Sequence, residues 1–204
     1  KMKAMRGVIS DRNGVPLAIS TPIMKVVIDP QHYYETKQSF DEVTAKLKAS
    51  PNSTKLKNQL PRENLNLDEL ADAVGIEREE LKRRVKERAR SRYVVLKKEV
   101  PPPQADLLVK RNFAGVYAEK SYKRYYPQPQ ANSQIIGLTN TEGTGIEGLE
   151  MQLNKRLAGV DGEQKIVRDK HGNRVQTPEV VKEVEAGENI TLSIDSRLQY
   201  IMYR

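Results

Sequence analysis

The stretch Arg6-Gly7-Val8-Ile9-Ser10-Asp11-Arg12-Asn13-Gly14-Val15-Pro16-Leu17-Ala18-Ile19-Ser20 constrains the fold of this chain more than any other. Val8 and Ile9 make an extended arm, Asn13-Gly14 favours a tight I′ turn, and Leu17 and Ile19 alternate on the return arm. The segment therefore reads as a β-hairpin. Arg6, Asp11 and Arg12 crowd charge onto it. Ion pairs on a solvated edge contribute little, so this density is either surface dressing or a lock onto a distant part of the chain.

The remaining composition narrows the choice. A chain of 204 residues holds one large or two small domains. Charged residues make up 30% and Trp is absent, which points to an extended or multi-lobed module more than to one compact enzyme core. With no cysteine, disulfides and thiolate metal sites are excluded, and both cytosol and bacterial periplasm are compatible. No run of eighteen apolar residues is present. Thirty-five basic residues against 27 acidic ones give a net charge of +8, which admits nucleic acid, anionic lipid or acidic polymers as partners. The two signs are interleaved along most of the chain, as on a moderately basic solvated surface.

Along the chain, Met24-Lys25-Val26-Val27-Ile28 reads as a strand closed by Asp29-Pro30. Residues 31–66 read as short helix and loop, with 50–64 as a mobile segment around Pro51-Asn52-Ser53 and Pro61. Asn66 or Asp68 caps a helix through Leu67, Leu70, Ala71 and Val74 that Gly75 ends. A second helix from Glu77 buries Leu81, Val85 and Ala89 and carries Glu79–Arg83 and Glu80–Arg84 pairs outside. Arg92 to Val100 is a strand stopped by Pro101-Pro102-Pro103; a short helix through Ala105, Leu108 and Val109 leads to a turn near Gly115. Val116 to Tyr126 is extended, 131–138 forms a short apolar helix or turn, and Thr139 to Gly145 is a flexible run. A helix from Glu147 aligns Leu149, Leu153 and Leu157, and Gly159 closes it. Strands fill Glu163 to Ile194, with turns at His171-Gly172-Asn173 and Ala186-Gly187. Asp195-Ser196 then caps a helix that runs to Arg204, which implies further protein beyond it.

Signals for catalysis are weak throughout. His32 and His171 are far apart and neither has a metal-ligand companion, so no metal or cofactor is called for. Gly143-Thr144-Gly145 lacks the Lys and the preceding apolar strand of a phosphate loop, and Ser-x-x-Lys and Lys-Thr-Gly do not occur. The helix pair over 67–88 has the spacing of a helix-turn-helix, but Glu77, Glu79 and Glu80 would face phosphates, which argues against nucleic acid.

Four ordered blocks carry a family resemblance. The first is the opening hairpin, with Arg6, Gly7, Asp11, Arg12, Asn13 and Gly14. The second is Arg92 to Lys98 followed by Gly115-Val116 and Glu119. The third runs Lys123-Arg124-Tyr125-Tyr126-Pro127, Ile135-Ile136-Gly137-Leu138-Thr139 and Gly145-Ile146-Glu147-Gly148-Leu149-Glu150. The fourth is Arg168 to Arg174 and Leu192 to Gln199, including Asp195. Together they resemble the N-terminal, non-catalytic pedestal of class B penicillin-binding proteins, most closely the division-specific septal branch. The segment Pro127-Gln128-Pro129-Gln130 departs from the family, which often has Gly after the Pro, and leaves the local turn geometry open.

The resemblance implies an α+β fold: an elongated, multi-lobed pedestal of antiparallel strands and hairpins with a helical head lobe. Its expected divisions are first strands over 1–30, a helical head over 31–110, pedestal strands and helix over 111–195, and the start of a link into a transpeptidase domain over 196–204. It further implies an anchor upstream in the inner membrane, a periplasmic location at the division septum, and a parent that is a serine D,D-transpeptidase cross-linking peptidoglycan. This segment itself carries no catalytic residue, and β-lactams would act only through the transpeptidase domain. Expected partners are the septal glycan polymerase and other division proteins, with peptidoglycan as a further contact. The alternatives are the same module of an elongation-specific member, a nucleic-acid-binding helix-turn-helix protein, and a periplasmic module for anionic glycan. The expected structural motif comprises Arg6, Gly7, Asp11, Arg12, Asn13, Gly14, Arg124, Tyr126, Pro127, Gly137, Gly145, Glu147, Gly148, Glu150 and Asp195. Within it, Arg6, Asp11 and Arg12 are expected to meet Glu147 and Glu150 near the start of the later helix, where the dipole favours carboxylates.

Overall fold

The computed structural model describes residues 2–127, 134–165 and 179–203. The fold is α+β and divides into two compact units, Lys1–Ile23 with Lys120–Arg204, and Met24–Glu119. The chain passes from one to the other inside two strands, β2 (Pro16–Ile28) and β4 (Val116–Tyr125). The divisions between these two units therefore fall within strands.

In the first unit, β1 (Ile9–Ser10) runs antiparallel to β2, with Ile9 opposite Ala18, and parallel to β7 (Ile190–Thr191), with Ile9 opposite Ile190. Ile9, Leu17, Ala18, Ile136, Leu157 and Ile190 form the core, and Tyr126, Leu149 and Leu153 pack on it. Each large aliphatic side chain taken out of water contributes about 1.5–3 kcal/mol. The hairpin forms, but not on a I′ turn. The Gly14 amide donates to the Asp11 carbonyl at 3.1 Å, and among the tip residues only Gly14 takes a positive φ, 80°. A three-residue connection with Gly in the left-handed position results, followed by a register shift between Ile9 and Ser10. The cause is Asp11: its Oδ1 accepts the amides of Asn13 (2.9 Å) and Val15 (2.8 Å), which draws the chain round the carboxylate.

The expected helix from Glu147 is broken. It becomes α6 (Gly148–Gln152) and α7 (Asn154–Leu157), with the break at Leu153. Asn154 accepts hydrogen bonds from outside the helix through its side chain, from Arg6 and the Gly145 amide. The three leucines still join one core. Residues 134–136 make a helical turn, and Thr139 bridges Gly145 across a turn closed by Asn140, whose Oδ1 accepts the amides of Glu142 and Thr144. Residues 131–133 and the His171-Gly172-Asn173 turn lie outside the described residues. β5 (Glu163–Lys165) and β6 (Glu179–Lys182) pair antiparallel, and α8 (Ser196–Tyr203) ends the unit.

The second unit is the helical one. Val26, Ile28, Leu70, Leu81, Val94 and Phe113 lie at its core, where β2 meets β3 (Val94–Val100) in antiparallel register. Residues 31–49, read as short helix and loop, lie within one 20-residue helix, α1 (Pro30–Ala49). Its signals are local: Asp29 Oδ1 accepts the His32 amide at 2.9 Å, Pro30 stands in the first turn, and Gln31–Glu35 and Gln38–Glu42 bond at i,i+4. Its apolar stripe is too sparse to read as a period; of its residues Pro30, His32, Tyr33, Thr36 and Val43 are buried. The 50–64 segment contains α2 (Thr54–Lys57), capped by Ser53. The segment's end is held by Glu63, which meets His32 Nε2 at 3.0 Å.

The helix pair stands where the sequence placed it. α3 (Leu67–Val74) is capped by Asn66 Oδ1 on the amides of Asp68 and Glu69 and ends at Gly75 with φ 77°. α4 (Arg78–Glu87) starts at Glu77 and buries Leu81 and Val85, but stops before Ala89, which is only half-buried. Glu80 takes both Arg84 and Arg83, while Glu79 pairs with Lys82 instead of Arg83. Lys82 also reaches Asp68 on α3 at 2.7 Å, which joins the two helices. Pro101 ends β3, and α5 (Pro102–Lys110) buries Ala105 and Leu108 while Val109 stays exposed. Gly115 turns the chain at φ 72° into β4.

Candidate functional site

The first unit closes around one carboxylate. Glu150, in α6, is fully buried and is gripped by two arginines from sequence-distant elements. Arg6 Nε donates to Glu150 Oε2 at 2.6 Å and its Nη2 to the Glu150 carbonyl at 2.8 Å. Arg124, near the end of β4, donates from Nε to Oε1 at 2.7 Å. The side chains of Arg6 and Arg124 are 6% and 4% exposed, so these are charge-assisted bonds shielded from solvent. The remaining donors are largely used. Arg6 Nη1 reaches Asn154 Oδ1 at 2.7 Å and the Gly143 carbonyl at 3.3 Å. Arg124 Nη1 reaches Ser20 Oγ at 3.1 Å, and that hydroxyl donates to the Arg6 carbonyl. Arg124 Nη2 has no hydrogen-bond partner among the described residues.

The backbone must approach closely for this to form. A Cβ on Gly145 would sit 1.9 Å from the Glu150 carbonyl that receives Arg6. Gly137 (φ 76°) and Gly148 (φ 56°) cross just as tightly: a Cβ on Gly137 would lie 2.0 Å from the Glu147 carbonyl. Tyr126 extends the arrangement, accepting the Thr139 amide at its hydroxyl; burial raises its pKa. Pro127 follows it half-buried.

A second, smaller cluster joins the hairpin tip to the start of α8. Asp11 is buried and its Oδ2 accepts the Ser196 hydroxyl at 2.7 Å and the Ser196 amide at 3.1 Å. Burial pushes the Asp11 carboxyl up, but the Ser196 hydroxyl and amide, with the amides of Val15 and Asn13, outweigh it and bring it down to about 2. Arg12 Nη2 meets Asp195 Oδ2 at 3.1 Å. Arg197, then Asn13 and Arg12, hold the Asp195 carboxyl well below the usual carboxylate range. The Arg12 amide also donates to the Ile194 carbonyl.

The expected pairings are thus redistributed. Arg6 meets Glu150, Arg12 turns to Asp195, and Asp11 caps α8. Glu147 stands exposed at the start of α6 and makes no capping bond through its side chain. Gly7 lies against the Glu188 backbone, where a Cβ would sit 1.9 Å from the carbonyl oxygen. Sequence reasoning missed Ser20, Asn154 and Ser196 as partners: short polar side chains carry no periodic signal, and their role exists only once the strands meet. In the other unit, α4 begins with Glu77, Glu79 and Glu80, the wrong charge for DNA phosphates. Among the described residues no group of His, Cys, Asp and Glu has the arrangement of a metal site, and no helix is long and apolar enough to cross a membrane. What the clusters offer chemically is fixation, since nearly all of their polar groups are used on other parts of the same unit.

Comparison with known proteins agrees with that architecture. The chain is 30% identical over 204 residues to peptidoglycan D,D-transpeptidase FtsI of Escherichia coli K12, covering 100% of this chain and 31% of that protein. Its fold matches a peptidoglycan synthetase from Bifidobacterium adolescentis with a TM-score of 0.59 at 26% identity, over 98% of this chain and 36% of the other. It also matches penicillin-binding protein PBP2, solved in complex with MreC, from Helicobacter pylori, with a TM-score of 0.54 at 20% identity over 98% and 36% of the chains. The chain spans about a third of the length of FtsI. The family model of the penicillin-binding protein dimerisation domain matches residues 1–192, so the chain belongs to that family.

Proposed function

We propose that this chain is the non-catalytic pedestal of a septal peptidoglycan D,D-transpeptidase, standing on the periplasmic side of a bacterial inner membrane at the division site. Its role is to position the transpeptidase domain and to engage division proteins, the septal glycan polymerase among them. The observation that carries this reading is the pair of clusters in the first unit. Glu150, on α6, joins the segment before β1 to β4, while Asp11 grips the first residue of α8, so the hairpin sets where that helix starts. Similarity to FtsI supports the septal branch, and the H. pylori neighbour is a penicillin-binding protein solved in complex with another protein, MreC. In this reading residues 31–110 are the partner-facing head and 196–204 begin the link to the catalytic domain.

The test uses the complete parent protein. Arg6→Ala and Glu150→Gln should leave labelling by a fluorescent penicillin intact while mid-cell recruitment and two-hybrid contact with the septal polymerase fall. Recruitment to the lateral wall by the unaltered protein would transfer the module to the elongation branch. Recruitment and polymerase contact unchanged in stably folded variants would end the positioning reading.

A further inference from the structure

Residues 43–62 carry Lys46, Lys48, Lys55, Lys57 and Arg62 and no acid at all, in a chain whose two signs of charge are interleaved along most of its length. All five are exposed. The fold gathers the four lysines at one end of the helical unit. Beyond Thr36, α1 buries only Val43, so its last two turns carry little core contact. The Ser50 amide closes on the Lys46 carbonyl and the Ser53 amide on the Ser50 carbonyl, which reverses the chain and lays α2 against α1. None of the five forms an ion pair among the described residues; the acids flanking the run are Asp41 and Glu42 on α1, and Glu63, which is engaged with His32 and Thr36. Lys46 and Lys48 also complement the C-terminal dipole of α1. That does not account for Lys55, Lys57 and Arg62.

We propose that this α1–α2 tip docks on the surface of an anionic lipid bilayer. Three features favour a membrane over a protein. The charges are mainly lysines, which are strongly hydrated point charges on flexible stems and suit a diffuse negative surface better than a bidentate site. Lysine is depleted in protein–protein interfaces. The number of basic residues is that of polybasic segments held at anionic membranes. Since no large apolar side chain of this run is fully exposed, attraction is electrostatic and reversible, and salt must weaken it.

The chain is mixed with phosphatidylcholine vesicles with and without phosphatidylglycerol and floated at low and high salt. Binding is expected only with phosphatidylglycerol and only at low salt. The variant K46Q/K48Q/K55Q/K57Q should bind nearly a thousandfold more weakly, on the order of what four lysines contribute, and the charge-matched K86Q/K110Q/K155Q/K182Q should keep most of its binding. Circular dichroism melts confirm that both variants are folded. Equal loss in the two variants would assign binding to net charge and overturn the proposal, as would binding to pure phosphatidylcholine or none to either. Capture of a soluble poly-glutamate peptide by the tip without vesicle binding would overturn it in favour of an acidic protein partner.

Discussion

Glu150 has one carboxylate for two guanidiniums, and this asymmetry decides what its loss costs. Buried ion pairs add little net stability against an apolar substitute, because desolvation offsets attraction. Breaking one is different, since it strands the remaining charge. Glu150→Gln keeps the shape but leaves Arg6 and Arg124 buried side by side with no countercharge. The expected destabilisation is about 3–5 kcal/mol, read as a fall in melting temperature of roughly 10 °C for a chain of this size. Arg12→Ala should cost far less, because that side chain is half exposed. A melt in which Arg12→Ala is the more harmful change would refute the ranking.

At the level of elements, caps and breaks decide more than helix propensity. α3 has eight residues and is too short to persist alone, so its ends matter. Asn66→Ala removes the acceptor for two amides and should cost about 1 kcal/mol, measured as a shift in the denaturant midpoint with unchanged slope. The long α1 and the broken α6–α7 make opposite points. α1 was legible from Asp29-Pro30 and from the lack of any Gly or Pro over 31–49, signals that the thin apolar stripe obscured. The break at Leu153 was not legible, because the Asn154 side chain is drawn to Arg6 and the Gly145 amide only once these distant segments are beside it.

At the scale of the molecule, charge couples stability to pH. Asp11 and Asp195 are both held below their unfolded values, so each contributes stability above about pH 4, an unfolded carboxylate's pKa, and loses it as pH falls through the folded value. For Asp11 that window runs from about 4 down to about 2. Acid also removes the negative partners of a chain that is already +8, adding self-repulsion. The protein should therefore unfold on acidification. Asp11→Asn should lower stability at neutral pH and flatten the slope between pH 4 and 2, seen by fluorescence or circular dichroism titration. An unchanged slope would mean that the Ser196 contact is not formed in solution.

The sequence by itself determined the opening hairpin, the α3–α4 pair with its Asn66 and Gly75 boundaries, the strand at 94–100 and the order of blocks that marks the family. Each rests on short-range physics: alternation, caps, turn residues and proline. The tertiary structure decided who meets whom. Arg6 and Glu150 are separated by 144 residues, and Asp11 and Ser196 by 185. No local rule selects Glu150 over Glu147 as the buried carboxylate. That choice follows from Gly145 and Gly148, whose missing side chains let the backbone close until only one of the two carboxylates faces inward.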